Sequence, residues 1–152
     1  MTHPEGAALG RGLRCDPVYP GLSLGRDLRL RGGPTGTVLD TVDGIECLTQ
    51  DLALALTTAL GSDVFNTGFG FDGLAAMAAD IPPILVQERI RVAVVSVLSR
   101  DPRVRRIIDI KFVDSRLDAP GPGSRELDVR VVFETVTDDR VTVDLGRPAA
   151  DA

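Results

Sequence analysis

Residues 84–99 repeat their apolar positions at helical spacing, and Asp101-Pro102-Arg103 ends that repeat abruptly. Proline has no amide hydrogen and disfavours helical geometry in the residue before it, so the helix must stop at Asp101. Beyond the proline, most of the chain alternates with a period of two. The chain is therefore divided between a helical middle and a β-rich last third. Arg103 sits on the stiffened corner that the proline makes. A guanidinium held in this way suits a two-pronged contact with a carboxylate on another element or another chain. The alternative is a helix stop followed by a solvated arginine. Of the two kinds of partner, a corner arginine is expected to serve between chains more than within one.

Before the break, residues 1–22 are rich in Gly, Pro and Arg without periodicity, which reads as a flexible or partner-ordered arm. Leu28 and Leu30 lie among charged residues over 24–30 and predict a short strand, ended by Gly32-Gly33-Pro34. A long helix is expected over 43–60. Asp43 and Glu46 form a capping-box pattern, and Ile45, Leu48, Leu52, Ala55, Leu56 and Ala59 form one apolar stripe. Gly61 suits the left-handed residue after its end. Residues 65–71 hold three of the five phenylalanines between glycines, and such rings, Phe69 among them, are expected to plug a loop onto the core. A short helix of small residues is expected over 74–79. Pro82-Pro83 opens the second long helix, with Val86, Ile90, Val94, Val97 and Leu98 on its buried face.

After the break, three alternating runs predict strands: Ile108, Ile110 and Phe112; Leu127, Val129, Val131 and Phe133; Val141, Val143 and Leu145. A loop at 118–124 and a turn at 137–139 separate them. The expected class is α+β: two main helices plus a short one, packed on a small, mainly antiparallel sheet. That sheet combines the N-terminal strand with a three-stranded C-terminal meander. The expected boundaries are an arm at 1–22, one domain at 23–146 and a tail at 147–152.

The 17 basic and 22 acidic residues give a net charge of −5. An acidic chain is a poor general binder of nucleic acid, which needs clustered cations. Arg100, Arg103, Arg105 and Arg106 make one basic spot, but Asp101 and Asp109 flank it, so salt-bridged protein contacts explain it at least as well as phosphate does. Cys15 and Cys47 make no disulfide framework and no C-x-x-C pair, which suits a reducing compartment. No apolar run is long enough for a membrane span, and residues 1–12 lack the apolar stretch of a secretion signal, so assembly in the cytoplasm is expected.

No catalytic constellation stands out, and the expected protein is not an enzyme. His3, the single histidine, lies in the arm, which leaves no histidine for a nucleophile triad or a zinc site of ordinary type. No cofactor or metal is expected. Residues 68–73 satisfy G-x-G-x-x-G, but they follow a helix and a loop where a dinucleotide fingerprint needs a strand. Glu46, Glu88 and Asp101 are the acids to consider for glycoside hydrolysis. Their plainer roles are cap, solvated face and partner of an arginine.

The order of parts resembles the gene-25-like baseplate wedge family of contractile phage tails, type VI secretion systems and contractile injection systems. The resemblance spans residues 25–145 and is most specific over 88–103, where a helix runs into acid-Pro-Arg. The family's acid is typically Glu; Asp101 is one methylene shorter. The loop 65–70 resembles the family's aromatic-Gly element, without the proline common there. The resemblance implies a structural role: a wedge component that links the baseplate to the sheath and templates the first sheath ring. It implies wedge proteins, the sheath subunit and tube or spike-hub proteins as partners. It also implies that Asp101, Pro102 and Arg103 help to hold neighbouring chains, with Arg105 and Arg106 beside them. Thr142, on the last strand, is the candidate for strand pairing with an incoming sheath arm. Some members carry a lysozyme label, so the alternative is a peptidoglycan hydrolase of the same apparatus.

Overall fold

The computed structural model describes residues 8–18, 26–73, 75, 82–114 and 127–145. The elements run β1 (Arg11–Leu13), β2 (Cys15–Pro17), β3 (Arg26–Leu28), β4 (Leu30–Gly33), β5 (Gly36–Leu39), β6 (Thr41–Asp43), α1 (Gly44–Thr57), α2 (Pro83–Arg100), β7 (Val104–Asp114), β8 (Leu127–Thr135) and β9 (Arg140–Leu145). The class is α+β, as the period change predicts. The expected short helix at 74–79, the loop at 118–124 and the tail at 147–152 lie outside the described residues, Ala75 apart.

The meander is antiparallel in the order β7-β8-β9. Its inner face carries Ile110, Val129, Val131, Phe133, Val141 and Val143, all buried. The two helices lie on this face, α1 toward β9 and α2 toward β7. Leu48, Leu52 and Leu56 come down from α1, and Ile90, Val94 and Leu98 from α2. Each such side chain contributes about 1.5–3 kcal/mol through its removal from water.

Two details of the helices differ from the pattern. In α1, Ile45 is 41% exposed and Ala59 lies beyond the helix, which ends at Thr57. The capping box does not form either. Asp43 makes no side-chain cap, and Glu46 instead takes a two-pronged contact from Arg14 at 2.9 and 3.1 Å. Gly61 is left-handed, with φ of 78°, but lies four residues past the helix. In α2 the expected buried face holds, and Pro83 occupies the first turn.

The first meander strand is phased differently from the expected alternation. Register shifts between Val104 and Arg106 and between Ile107 and Asp109 break β7. Each bulge adds one residue and turns the side chains over. Ile107, not Ile108, therefore packs on the core, and Ile108 is 40% exposed. At the other end of β8, Thr135 closes the hairpin. Its N–H donates to the Asp139 carbonyl at 2.9 Å, and its carbonyl accepts from the Asp138 N–H at 3.1 Å, with Asp138 left-handed at φ 65°. This is a three-residue turn with a left-handed residue at its end.

The N-terminal expectation needs two corrections. First, the expected arm at 1–22 is ordered over 8–18. Leu9 is fully buried in the core, and β1 and β2 are paired strands. The reason is that Leu9 fills the space above the helices while too few apolar neighbours surround it in sequence to give a period. Second, the strand at 24–30 does not join the meander. It divides at Arg29 into β3 and β4, which pair with β2 and β5. Three two-stranded ribbons meet there in a closed ring of hydrogen bonds. The Arg14 N–H donates to the Asp40 carbonyl at 3.0 Å, Asp40 to Arg29 at 2.9 Å, and Arg29 to Arg14 at 2.8 Å. Strand alternation then sorts the side chains onto two faces. Arg14, Arg29, Arg31 and Asp40 share one face, where the three arginines lie within 3.4–3.9 Å of the Asp40 carboxylate. Leu13, Cys15, Leu28, Leu30 and Leu39 share the other, and its four leucines are 42–62% exposed.

Leu9→Ala is expected to destabilise the fold by about 3 kcal/mol, the scale for deleting a fully buried leucine side chain. A denaturant midpoint unchanged from wild type would remove residues 8–10 from the core.

Candidate functional site

The corner at Asp101-Pro102-Arg103 is where the helical and β halves join. The proline stops α2 as expected: Asp101 is extended, at φ −84° and ψ 116°, and its N–H still reaches the Leu98 carbonyl at 3.2 Å. The Val104 N–H closes a turn onto the Asp101 carbonyl at 3.1 Å. The Asp101 carboxylate then accepts three bonds from Arg103. Oδ1 takes the backbone N–H at 3.0 Å and Nε at 2.9 Å, and Oδ2 takes Nη2 at 2.7 Å.

The same guanidinium reaches two further elements. Nη1 donates to Asp51 Oδ2 on α1 at 2.9 Å and to the Leu9 carbonyl at 3.0 Å. Gly10 follows Leu9 in the left-handed region, at φ 90°, which favours glycine, and a Cβ there would touch Nη1 at 3.4 Å. Cys47 lies beside Asp51, with Sγ 3.7 Å from Oδ2. Burial, helped by the Asp51 charge, pushes the Cys47 thiol up, so it stays protonated. Arg103 is held more firmly protonated than usual, chiefly by its bonds to Asp101. Burial alone would raise the Asp101 carboxyl, but the hydrogen bonds and charge of Arg103 outweigh it and hold that carboxyl below the ordinary range.

In the single chain Arg103 takes the other of the two expected kinds of partner, carboxylates and a carbonyl of its own chain. Pro102 acts by placing Arg103 on the corner. The basic spot is also neutralised locally. Arg100 donates to the Gly68 carbonyl at 3.1 Å. Arg106 holds Glu134 at 2.6 and 3.0 Å, and Arg105 contacts Asp138 and lies 3.7 Å from Glu134. The hydrogen bonds from Arg106 hold Glu134 below the ordinary carboxylate range. Asp109, the expected flanking acid, pairs with Lys111 at 3.5 Å instead.

The candidate residues do not form one site. Arg105 and Arg106 lie on β7, and Thr142 lies on β9, the opposite edge of the three-stranded sheet. Thr142 is exposed and pairs with Val132. The bond from Thr135 to Asp139 sets the phase of this ladder. Pairs 133/141 and 131/143 then exchange bonds, and the Thr142 N–H and carbonyl point away from β8.

Beside the corner lies a groove of about 440 Å³ between α1, the 66–70 loop and Pro102, with Leu54, Phe69 and Val97 on its apolar side and Asp51 and Arg100 at its rim. The aromatic loop divides its rings unequally. Phe71 is the buried plug, Phe69 is half-buried, and Phe65 is 98% exposed. Gly70 is required behind that plug. Its φ is 113°, and a Cβ there would lie 2.8 Å from the Thr58 carbonyl oxygen. The G-x-G-x-x-G stretch thus belongs to a loop that follows α1.

Each acid considered for hydrolysis is held by an arginine: Glu46 by Arg14, Glu88 by Arg91 at 3.4 Å, and Asp101 by Arg103. A general acid needs a raised pKa, the reverse of what Arg103 imposes on Asp101. Among the described residues, no three His, Cys, Asp or Glu side chains group as they would around a metal ion. No described helix is long and apolar enough to cross a membrane. Comparison of the sequence with protein-family models and with curated proteins finds no match.

Asp51, Leu9 and Gly10 belong to the corner but were not singled out by sequence. Asp51 had a readable signal, since it borders the apolar stripe at spacings of three and four from Leu48 and Ala55. Leu9 and Gly10 had none.

Arg103→Ala is expected to destabilise the chain by about 3 kcal/mol, because it leaves two carboxylates facing each other in a partly buried site. Arg103→Lys should recover only part of this, since an ammonium cannot form the fork. Denaturant midpoints of the three proteins check it; a wild-type midpoint for Arg103→Ala would refute it.

The depressed Asp101 carboxyl has a pH consequence. Its stabilisation is complete above the unfolded value of about 4 and is lost as pH falls through the lower folded value. Asp101→Asn should therefore be less stable than wild type at neutral pH, and the gap should narrow on acidification below about pH 4. Parallel unfolding curves across that range would refute it.

Proposed function

We propose that this chain is a structural assembly component of the gene-25-like baseplate wedge type. In this reading it joins wedge proteins and tube or spike-hub proteins, assembles in the cytoplasm, and offers the contractile sheath subunit a strand edge on which the first ring is laid down. The observation that carries the reading is the outer edge of β9. Among the described residues β9 pairs with β8 alone, and its outward amides and carbonyls, Thr142 included, are positioned to take another strand.

Two further observations support an assembly role. β7 is the other edge of the sheet, and its two bulges make it a poorer template than β9. The N-terminal ribbons bury one side chain, Val42, among the described residues of 11–43. Isolated two-stranded ribbons are marginal in water, so a half-exposed leucine face on them is suited to a protein partner. The Arg103 clamp supports the reading indirectly, because it fixes the start of β7 against both helices and so sets the orientation of the whole sheet.

Thr142→Pro tests the edge. The lost donor points outward, so the β8–β9 ladder keeps its bonds and the fold survives. The expected result is a protein with near wild-type melting that joins a wedge but does not nucleate sheath, read by electron microscopy of particles. Normal sheathed particles from a folded Thr142→Pro protein would exclude this edge as the docking site. Unfolding of the variant would mean that β9 is internal.

A further inference from the structure

Val64 and Phe65 are 80% and 98% exposed, yet they sit in a turn tied down by hydrogen bonds. Asp63 Oδ1 accepts the Phe65 N–H at 2.9 Å, and the Asp63 carbonyl accepts the Asn66 N–H at 3.2 Å. The Asn66 carbonyl takes the Phe69 N–H at 2.9 Å, and Arg100 holds the Gly68 carbonyl at 3.1 Å. A fixed turn that holds an aromatic ring in water gains nothing from that ring within the chain. Rigid, protruding aromatic side chains are the kind that anchor interfaces by filling a pocket.

A fitting pocket lies next to it. A groove of about 820 Å³ runs along α2 beside Leu60 and Gly70, with Leu60, Leu85 and Val92 among its apolar lining residues and Asp72, Glu88 and Arg89 among its charged ones. Leu60, Leu85 and Val92 are 41%, 52% and 68% exposed. Knob and groove are neighbours, because Leu60 lines the groove and Val64 follows four residues later. Neither Val64 nor Phe65 enters the groove of its own chain. A surface that carries a knob beside a groove is self-complementary about a two-fold axis, which seats each knob in the other copy's groove and makes every contact twice. Asp63 at the base of the knob and Arg89 in the groove lining are opposite in charge and form no ion pair among the described residues of the single chain, whereas the neighbouring Glu88 is already held by Arg91 at 3.4 Å.

We propose that this chain forms a two-fold homodimer in which Val64 and Phe65 of each copy fill the α2 groove of the other, with Asp63 of each copy against Arg89 of the other. The proposal is independent of the β9 edge, which is a different surface. Few side chains are involved, so the dimer is a weak one, with dissociation in about the micromolar range.

Sedimentation equilibrium of the full chain, from low to several hundred micromolar, tests this directly. The wild type should titrate from monomer to dimer. Phe65→Ser should weaken dimerisation by at least about tenfold with an unchanged melting temperature, because the ring contributes nothing to its own core. Arg89→Glu should weaken it as well, by placing like charges together, and Arg89→Lys should retain it. A wild-type chain that stays monomeric throughout, or a dimer that either weakening variant leaves unchanged, overturns the proposal. In the first case the knob would have to serve a different protein.

Discussion

One guanidinium joins the parts of this molecule that are far apart in sequence. Arg103 ties residue 9, residue 51 and residue 101 together while its own backbone begins the meander. Proline makes this possible at the level of the chain: without the break at Pro102, α2 would continue and Arg103 would point elsewhere. The bonds are charge-assisted and mostly shielded, so the corner resists shear between helices and sheet more than an apolar contact would. Hydrophobic packing supplies most of the stability, and the corner supplies the alignment.

The alignment has a visible consequence. The two helices cover one face of the meander, and the core reaches as far as Leu9 and Phe71. Beyond that radius the chain continues as ribbons and a loop with little behind them. The ribbons are held by backbone bonds around Arg14, Arg29 and Asp40 and by arginines gathered on one carboxylate, not by burial. Exposed ion pairs of this kind contribute little each. The ordered periphery is thus defined in shape but weak in energy, which is the condition under which a partner's surface adds most.

The helices and the meander were legible in the sequence because each has one buried face, and a buried face leaves a period. Leu48, Leu52 and Leu56, or Val129, Val131 and Phe133, state their geometry by spacing alone. Ile107 and Ile108 show where this fails. A bulge exchanges inside for outside with no change in composition, and two adjacent isoleucines hide the exchange. The ribbons failed for a related reason: apart from Val42 neither face is buried, so alternation had little to mark, and three-residue strands are too short to show it. At the corner, the stop and the charge pairing were readable from Asp101-Pro102-Arg103. The direction of the pairing was not. Whether an arginine turns inward or outward depends on what stands 52 and 94 residues away, and local sequence does not carry that information.

The arginines also explain why an acidic protein with a basic spot presents no basic surface there. Arg103 is taken up by two aspartates, Arg105 and Arg106 by Glu134 and Asp138, and Arg100 by a backbone carbonyl. A phosphate approaching this region would have to displace a carboxylate already in place, with no counterion gain to offset it. Asp63 and Arg89, which make no ion pair among the described residues, lie instead beside the exposed apolar knob and groove. The charges around the corner are thus neutralised within the chain, and the proposed dimer would pair Asp63 with Arg89 away from them. Such a pairing places specificity in the periphery, where a match of shape and sign can be made without disturbing the corner that holds the fold.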